Sequence, residues 1–420
     1  MKTKSRRTKR TFAPEFPDEK TADQLGSIAA INAISVGSSV FQLEQVIREQ
    51  RTRRLVIPIY RSSGTNYDLS KLGTLLHDLI VFTLVEDVDV DFREVQRAEQ
   101  QHLWGPQRVE NVCLFSGGVD SYAGILISQQ ALGSLEGAFC AHSDQARIIH
   151  IVAELQRKVL GARGVSVTKL SVPSIGARGY AQLRGFLYLL SAGGLVDKLN
   201  SRNVVVTECG PTMYQPRFSP LDSVTMTTHP FVVKTAQQAI SFLLGRSVNV
   251  ITPFENLTKA EVVALCPSKE GLRYTHSCIS QRFGTHDGTC YGCVIRRLAT
   301  TAAGVNDVKY DKNPISDSSA RAGNLYSLLS FCADVLVQYR RMEEFEIGMI
   351  EAYHKRDLFR RFALDNFAAI HRLLSERKRV VPSVRQIYDN VKRKVTEGTL
   401  EDRLLELSTP SVKANFSEAA

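Results

Sequence analysis

The sequence predicts an α/β protein with a parallel-sheet core, preceded by an accessory α/β domain and followed by a helical one. Three observations carry that expectation. Between about 109 and 265, short apolar runs alternate with longer stretches whose apolar residues recur at helical spacing. Apolar strands separated by helices indicate a parallel sheet covered on both faces, with right-handed crossovers. From about 318 to 408 strand-like runs largely vanish while helical spacing persists. Finally, the first apolar run of the core passes straight into "SGGVDS", Ser116 to Ser121, and then into another apolar segment.

The chain has 420 residues, enough for two or three domains and a sizeable core. Its 43% hydrophobic and 23% charged content is ordinary for a soluble globular protein. No apolar run reaches the roughly 20 residues of a membrane span. The basic N-terminus lacks the apolar segment and cleavage pattern of a secretory signal, so a cytoplasmic location is expected. Net charge is +10, with Lys or Arg at six of the first ten positions. Residues 355–394 hold twelve Lys/Arg against four Asp/Glu. Such charge is either solvated surface with a disordered tail or a patch facing a polyanion.

Residues 1–20, basic and then Pro-containing, read as the disordered tail. In the accessory domain, 21–108, "RRLVIPIY" reads as a buried strand, "LSKLGTLLHDLIVFTL" as a helix and "VDVDFREV" as an alternating strand. It carries no chemical constellation. The core, 109–312, opens with the strand "RVENVCLFS", ending at Phe115, and the helix "SYAGILISQQAL", starting near Ser121. The strand "LEGAFCAH", helix "DQARIIHIVAELQRKVLGA", strand "GVSVTKLSV" and helix "AQLRGFLYLLSAGGLVDKL" follow. Then come the strand "NVVVTE", helix "PFVVKTAQQAISFLLG", strand "SVNVITPF" and the segment "TKAEVVAL". The C-terminal domain, 313–420, begins with the helical "NLYSLLSFCADVLVQYRRMEEF" and is divided by Pro382 and Gly398.

Gly117 and Gly118 let the backbone approach a ligand closely and expose successive N–H groups. The helix behind them presents its positive end. Ser116 and Ser121 can donate hydroxyl hydrogen bonds. An anion is the natural occupant, and a pyrophosphate group fits best. Asp120 would repel a bare phosphate. It makes sense holding a Mg²⁺ that bridges phosphates, or capping the helix. No GxxxxGK[ST] string occurs, and GxGxxG is missing at this turn.

Of the eight cysteines, Cys113, Cys140, Cys209, Cys266 and Cys332 are scattered and read as packing thiols. Cys278, Cys290 and Cys293 cluster in "SCISQRFGTHDGTCYGCVIRR". In a cytosolic chain that cluster suggests tetrahedral Zn²⁺ rather than disulfides, with three metal-free loop thiols as the plainer reading.

The SGGxDS string, placed after the first strand of an α/β unit, resembles the pyrophosphate loop of the N-type (PP-loop) ATP pyrophosphatases. That resemblance implies an adenine-nucleotide alpha-hydrolase-like core of about five parallel strands. It also implies the chemistry: adenylation of a carboxylate, amide or urea-like oxygen, release of pyrophosphate, and displacement of AMP by nitrogen or sulfur. Ser116, Gly117, Gly118, Val119, Asp120 and Ser121 would bind ATP.

The cysteine loop, 276–297, narrows the resemblance to the 7-cyano-7-deazaguanine synthases, which follow their phosphate loop with Cys-x8-Cys-x2-Cys-x2-Cys. Laying Cys278 on the first ligand puts Asp287 on the second, Cys290 on the third and Cys293 on the fourth. Asp287 replaces a cysteine, and neighbouring His286 is the alternative, imidazole being the better zinc ligand. His276 is a weaker candidate. The implied metal is structural. "LTKAEVVAL" resembles the family's Lys-Ala-Glu helix after a strand ending in Pro plus an apolar residue, here Pro253-Phe254. Lys259 would face the phosphates and stabilise the leaving pyrophosphate; otherwise it is a surface lysine. Arg184 resembles the arginine of the family's Gly-Arg-Asn segment and would touch ATP, although Gly185 and Phe186 follow in place of the asparagine. "TECGPTMYQPRFSP" occupies the substrate-loop position without the family's acidic, Cys-containing pattern. Its one ready carboxylate, Glu208, serves either a substrate contact or a structural salt bridge.

The resemblance covers about 110–300. Long, flanked relatives resemble the synthase-like components of bacterial anti-phage systems, including the Qat type, which implies attachment of a 7-deazaguanine to a partner protein's N-terminus. The expected function is therefore ATP-dependent adenylation of a 7-deazapurine carboxylate, that of 7-carboxy-7-deazaguanine, and acyl transfer to an amine. Asp120 and Lys259 would be catalytic; ATP, Mg²⁺ and Zn²⁺ are the implied cofactors. The acceptor would be a partner protein of the same defence operon. Alternatives are 7-cyano-7-deazaguanine synthesis for queuosine or nucleic-acid modification, a nucleic acid bound through the basic termini, and a non-catalytic scaffold.

Overall fold

A computed structural model of the chain describes residues 10–14, 27–50, 52–61, 68–97, 109–141, 146–172, 182–214, 227–278, 285–337 and 355–417. The molecule is α/β with two parallel sheets. In the first, β1 (Arg10–Phe12), β2 (Thr52–Arg61) and β3 (Asp89–Gln96) lie side by side in that order. β1 falls within the stretch expected to be a disordered tail. Phe12 packs against the core and its backbone pairs with Leu55, which is enough to recruit three residues of that stretch to the sheet edge. Apart from 13–14, the rest of 1–20 lies outside the described residues.

A 23-residue helix, α1 (Ile28–Gln50), went unanticipated. It is buried on nearly every side from Ala30 to Leu43, between the first sheet and helix α5 described below. A helix enclosed all round has no polar face, so its sequence shows no stripe of period 3.6. Two of its polar side chains bind the sheet: Ser35 Oγ donates to Pro58 O (2.7 Å), and the Asn32 amide brackets the backbone of Tyr60. α2 (Leu69–Leu84) matches its expected range, and Asp68 caps it.

The second sheet holds β4 (Asn111–Leu114), β5 (Leu135–Ala141), β6 (Ser166–Ser171), β7 (Asn203–Val205) and β8 (Asn249–Ile251) in the order β6-β5-β4-β7-β8. Every pairing is parallel. Helices α3 (Val119–Leu132) and α4 (Ala146–Leu155) make the crossovers to one side of β4. α5 (Arg184–Lys198), the short α6 (Gly210–Tyr214) and α7 (Pro230–Leu244) belong to the crossovers to the other. Winding therefore reverses between β4 and β7, and such a switch point leaves a crevice beyond the carboxyl ends of the strands. At the opposite end an asparagine ladder fixes register. Asn203 donates to Asn111 (2.9 Å), Asn249 donates to Asn203 (3.4 Å), and Asn111 donates to Ser134 O.

Beyond β8 come α8 (Lys259–Leu265), a 3-10 turn, α9 (Tyr291–Ala302), α10 (Gly323–Val337), α11 (Arg356–Ser375), α12 (Pro382–Lys392) and α13 (Glu397–Ser408). α11 packs against α9, α10 and α13. One continuous apolar core runs from Ala30 to Leu407.

Candidate active site and metal centre

β4 ends at Leu114, but Phe115 N–H still donates to Ala138 O (2.9 Å), so the chain leaves the sheet at Ser116. Gly117 takes φ = +78°, the left-handed region that favours glycine. Gly118 is the N-cap of α3 and offers no side-chain cap, and the helix begins at Val119, two residues earlier than expected. The capping role considered for Asp120 is thus overturned: Asp120 lies inside the first turn. Ser116 Oγ accepts Gly118 N–H (3.4 Å) and donates to Ser121 Oγ (3.2 Å), which donates to Gly118 O (3.1 Å). Both hydroxyls are thereby held on the cleft side of a turn at a helix N-terminus.

Asp120 forms an ion pair with Lys259, the first residue of α8. The Asp120 side chain is 6% exposed and that of Lys259 17%. Burial alone would lower the Lys259 pKa. The fields of Asp120, Cys209 and Glu208 outweigh it and hold the ammonium above its ordinary range. The other carboxylate oxygen, Asp120 Oδ1, is buried with no hydrogen-bond partner among the described residues. An unpaired buried acceptor of this kind is costly unless something else satisfies it. Burial, then Asp120, pushes the Cys209 thiol up to about 12, so it is inert as a nucleophile.

A cleft of about 440 Å³ opens at the switch point. Its polar wall includes Ser116, Ser121, Arg184, Thr207 and Glu208; Phe115, Phe139 and Tyr188 contribute its aromatic surface. Gly117, Gly118, Asp120 and Lys259 are not among the lining residues. Glu208, just past β7, has no ion pair or hydrogen bond among the described residues, so the structural salt bridge is not found. Burial, then the nearby Asp120, raises its pKa to about 7, against the opposing pull of Lys259 and Arg184. Arg184 opens α5, where Glu44 of α1 accepts the N–H groups of Gln182 (2.7 Å) and Leu183 (2.9 Å). Gly185 is demanded by contact: a Cβ there would lie 1.7 Å from Thr227 O.

Cys278, Asp287, Cys290 and Cys293 are buried together, with their ligand atoms all within 4.8 Å of one another. The Sγ atoms of Cys290 and Cys278 are 3.9 Å apart. Thiolates around tetrahedral zinc lie about 3.8 Å apart, so the spacing fits a shared dication. Asp287 Oδ1 accepts Thr289 N–H (2.8 Å) and Cys290 N–H (3.0 Å), which orients the carboxylate as outer-shell partners do. This cluster can hold a metal such as zinc.

His286 is not part of it. Its Nε2 accepts Ser277 N–H (3.3 Å) and faces Arg296 Nη1 (3.2 Å). Burial, then Arg296, lowers its pKa to about 3, so it stays neutral. Asp287 and not His286 lies in the cluster as it is arranged, and His276 likewise stands outside the set. His276 N–H instead donates to Gly117 O (2.9 Å), and Cys278 lines the cleft. The cysteine loop therefore braces the glycine turn directly.

Three residues near the site escaped sequence reasoning: Glu44, Asp365 and Arg403. The one available signal was Thr258-x-x-Glu261, which forms a complete capping box at the start of α8. No helix among the described residues is long and apolar enough to cross a membrane. No protein-family model matches the chain, and no curated protein matches it.

Proposed function

We propose that the chain is an ATP-dependent, AMP- and pyrophosphate-forming enzyme of the N-type ATP pyrophosphatase kind. Its substrate would be the carboxylate of a 7-deazapurine, 7-carboxy-7-deazaguanine, and the adenylated acyl group would pass to an amine, with a partner protein of an anti-phage system as acceptor. The observation that carries this reading is the Ser116–Ser121 turn at the switch point, with Asp120 and Lys259 paired. The first-turn N–H groups of α3 and the two serine hydroxyls suit the triphosphate. Arg184 reaches the cleft from the facing helix and suits ATP. The unpaired Asp120 Oδ1 fits a Mg²⁺, which when bound would neutralise phosphate charge. Lys259 stabilises charge on the departing pyrophosphate. Glu208 faces the cleft with no ion pair among the described residues and a pKa raised to about 7, which suits a group that takes the proton an attacking amine gives up. Acceleration comes mainly from positioning and charge stabilisation, since no nucleophilic side chain is required.

The test is direct. Purified protein with ATP, Mg²⁺ and 7-carboxy-7-deazaguanine should release pyrophosphate and AMP, and Asp120→Ala should abolish the release. ADP and phosphate as products, or no turnover, would count against the reading.

A further inference from the structure

The segment joining β8 to α8 is gripped almost residue by residue by the C-terminal helices and the segment that follows them. Asn415 N–H donates to Pro253 O (2.9 Å), and the Phe416 ring meets Phe254 edge-on. Lys355 pairs with Glu255 (3.0 Å) and donates to Asn256 (2.6 Å). Arg361 donates to Asn256 O (2.6 Å) and to Glu261 Oε1 (2.9 Å). Deepest lies a closed ring. The Thr258 hydroxyl donates to Asp365. Arg403 bridges Asp365 (2.7 Å) and Glu261 (2.6 Å), and Glu261 Oε2 accepts Thr258 N–H (2.8 Å). All four residues are buried.

A buried ring of two carboxylates and a guanidinium is a poor device for stability, because desolvation offsets most of the attraction. The capping box would start α8 without it. What the ring adds is a fixed geometry for the first turn of α8. Lys259 sits in that turn between Thr258 and Glu261, with its ammonium on Asp120. We infer that Asp365 and Arg403 are positioning residues that hold Lys259 against Asp120, so that docking of the C-terminal helices completes the site. This rests on reading Asp120 and Lys259 as the working pair of an ATP site. Remove Arg403, and Glu261 keeps only Arg361 while Asp365 is left a buried carboxylate with no cation beside it among the described residues. The first turn of α8 then loosens and Lys259 leaves its partner.

The experiment compares full-length native protein with Asp365→Asn and Arg403→Lys. Acylation of individual lysines by an amine-reactive reagent, mapped by mass spectrometry without ATP, reads the position of Lys259. The expected result is acylation of Lys259 about tenfold faster in both variants, a local loosening, with the exposed Lys234 unchanged. Pyrophosphate release should show a lower kcat with a smaller change in KM for ATP. Thr258→Ser, which keeps both the cap and the bond to Asp365, should behave like native protein, and the double variant Asp365→Leu/Arg403→Met, which removes both charges and leaves the capping box intact, should behave like Asp365→Asn. These two keep the question answerable where a charge variant does not fold. Folded variants whose Lys259 reacts as slowly as in native protein would overturn the inference. Native protein without turnover, in which Lys259 is nevertheless released by the variants, would sink the enzymatic reading and leave the positioning role standing.

Discussion

Asp120 and Lys259 stand 139 positions apart in the chain and meet as a partly buried ion pair between the first turn of α3 and the first residue of α8. Each makes the other's burial tolerable. The pair also places one cation, and one carboxylate oxygen with no hydrogen-bond partner among the described residues, at the turn that ends the central strand.

Breaking this pair from one side should be costly. Asp120→Asn or Lys259→Met each strands a buried charge, which costs about 3–5 kcal/mol. The double variant removes both charges and should recover much of that loss, a coupling read by urea denaturation of the full cycle. Simple additivity would show that the two side chains do not interact.

Elemental analysis should find about one zinc per chain, held by three thiolates and one carboxylate. Cys290→Ser and Asp287→Ala should lose it. Asp287→Cys should retain it, completing a four-thiolate set. His286→Gln should also keep the metal, because that ring serves Ser277 and Arg296. Metal loss in His286→Gln alone would reverse the ligand assignment.

Glu208 links function to pH. Its folded pKa of about 7 lies above the ordinary 4.5, so ionisation is disfavoured in the folded state. Its destabilising effect is absent below about pH 4.5, grows as pH rises towards 7, and is fully present above. Glu208→Gln should therefore melt higher than native protein at pH 8 and converge with it near pH 4.5. The gap should be on the order of 1–3 kcal/mol, reduced by solvent screening at a partly exposed group. The same variant should lose the rise of pyrophosphate release with pH. A melting difference of opposite sign would refute the shift.

Glu44 ties the N-terminal segment to the cleft. Glu44→Gln should weaken the cap on α5 by about 0.5–2 kcal/mol and reduce ATP affinity through Arg184. Isothermal titration with a non-hydrolysable ATP analogue checks this, and unchanged affinity would separate the cap from the site.

Much of the core was legible because local chain chemistry writes it. Apolar runs such as "NVCL" and "NVV" pack on both sheet faces, and the glycines of the turn advertise its backbone. α1 was illegible because enclosure erases the stripe that periodicity needs. β1 was illegible because three residues carry no pattern, and only pairing with β2 orders them. Between His286 and Asp287 the linear chain offers no choice, since adjacent residues share the same spacing. Arg296, ten positions on, contacts the imidazole, while Asp287 lies in the cysteine cluster.

The sequence by itself determined the alternation of strands and helices, the Ser116–Ser121 turn and the three clustered thiols, because each depends on neighbours within a few positions. Only the tertiary structure decided that Lys259 answers Asp120, that Glu44 caps the helix of Arg184, and that Arg403 and Asp365 hold the start of α8. Those are contacts between groups far apart in the chain, whose worth arises only when folding removes water from both partners at once.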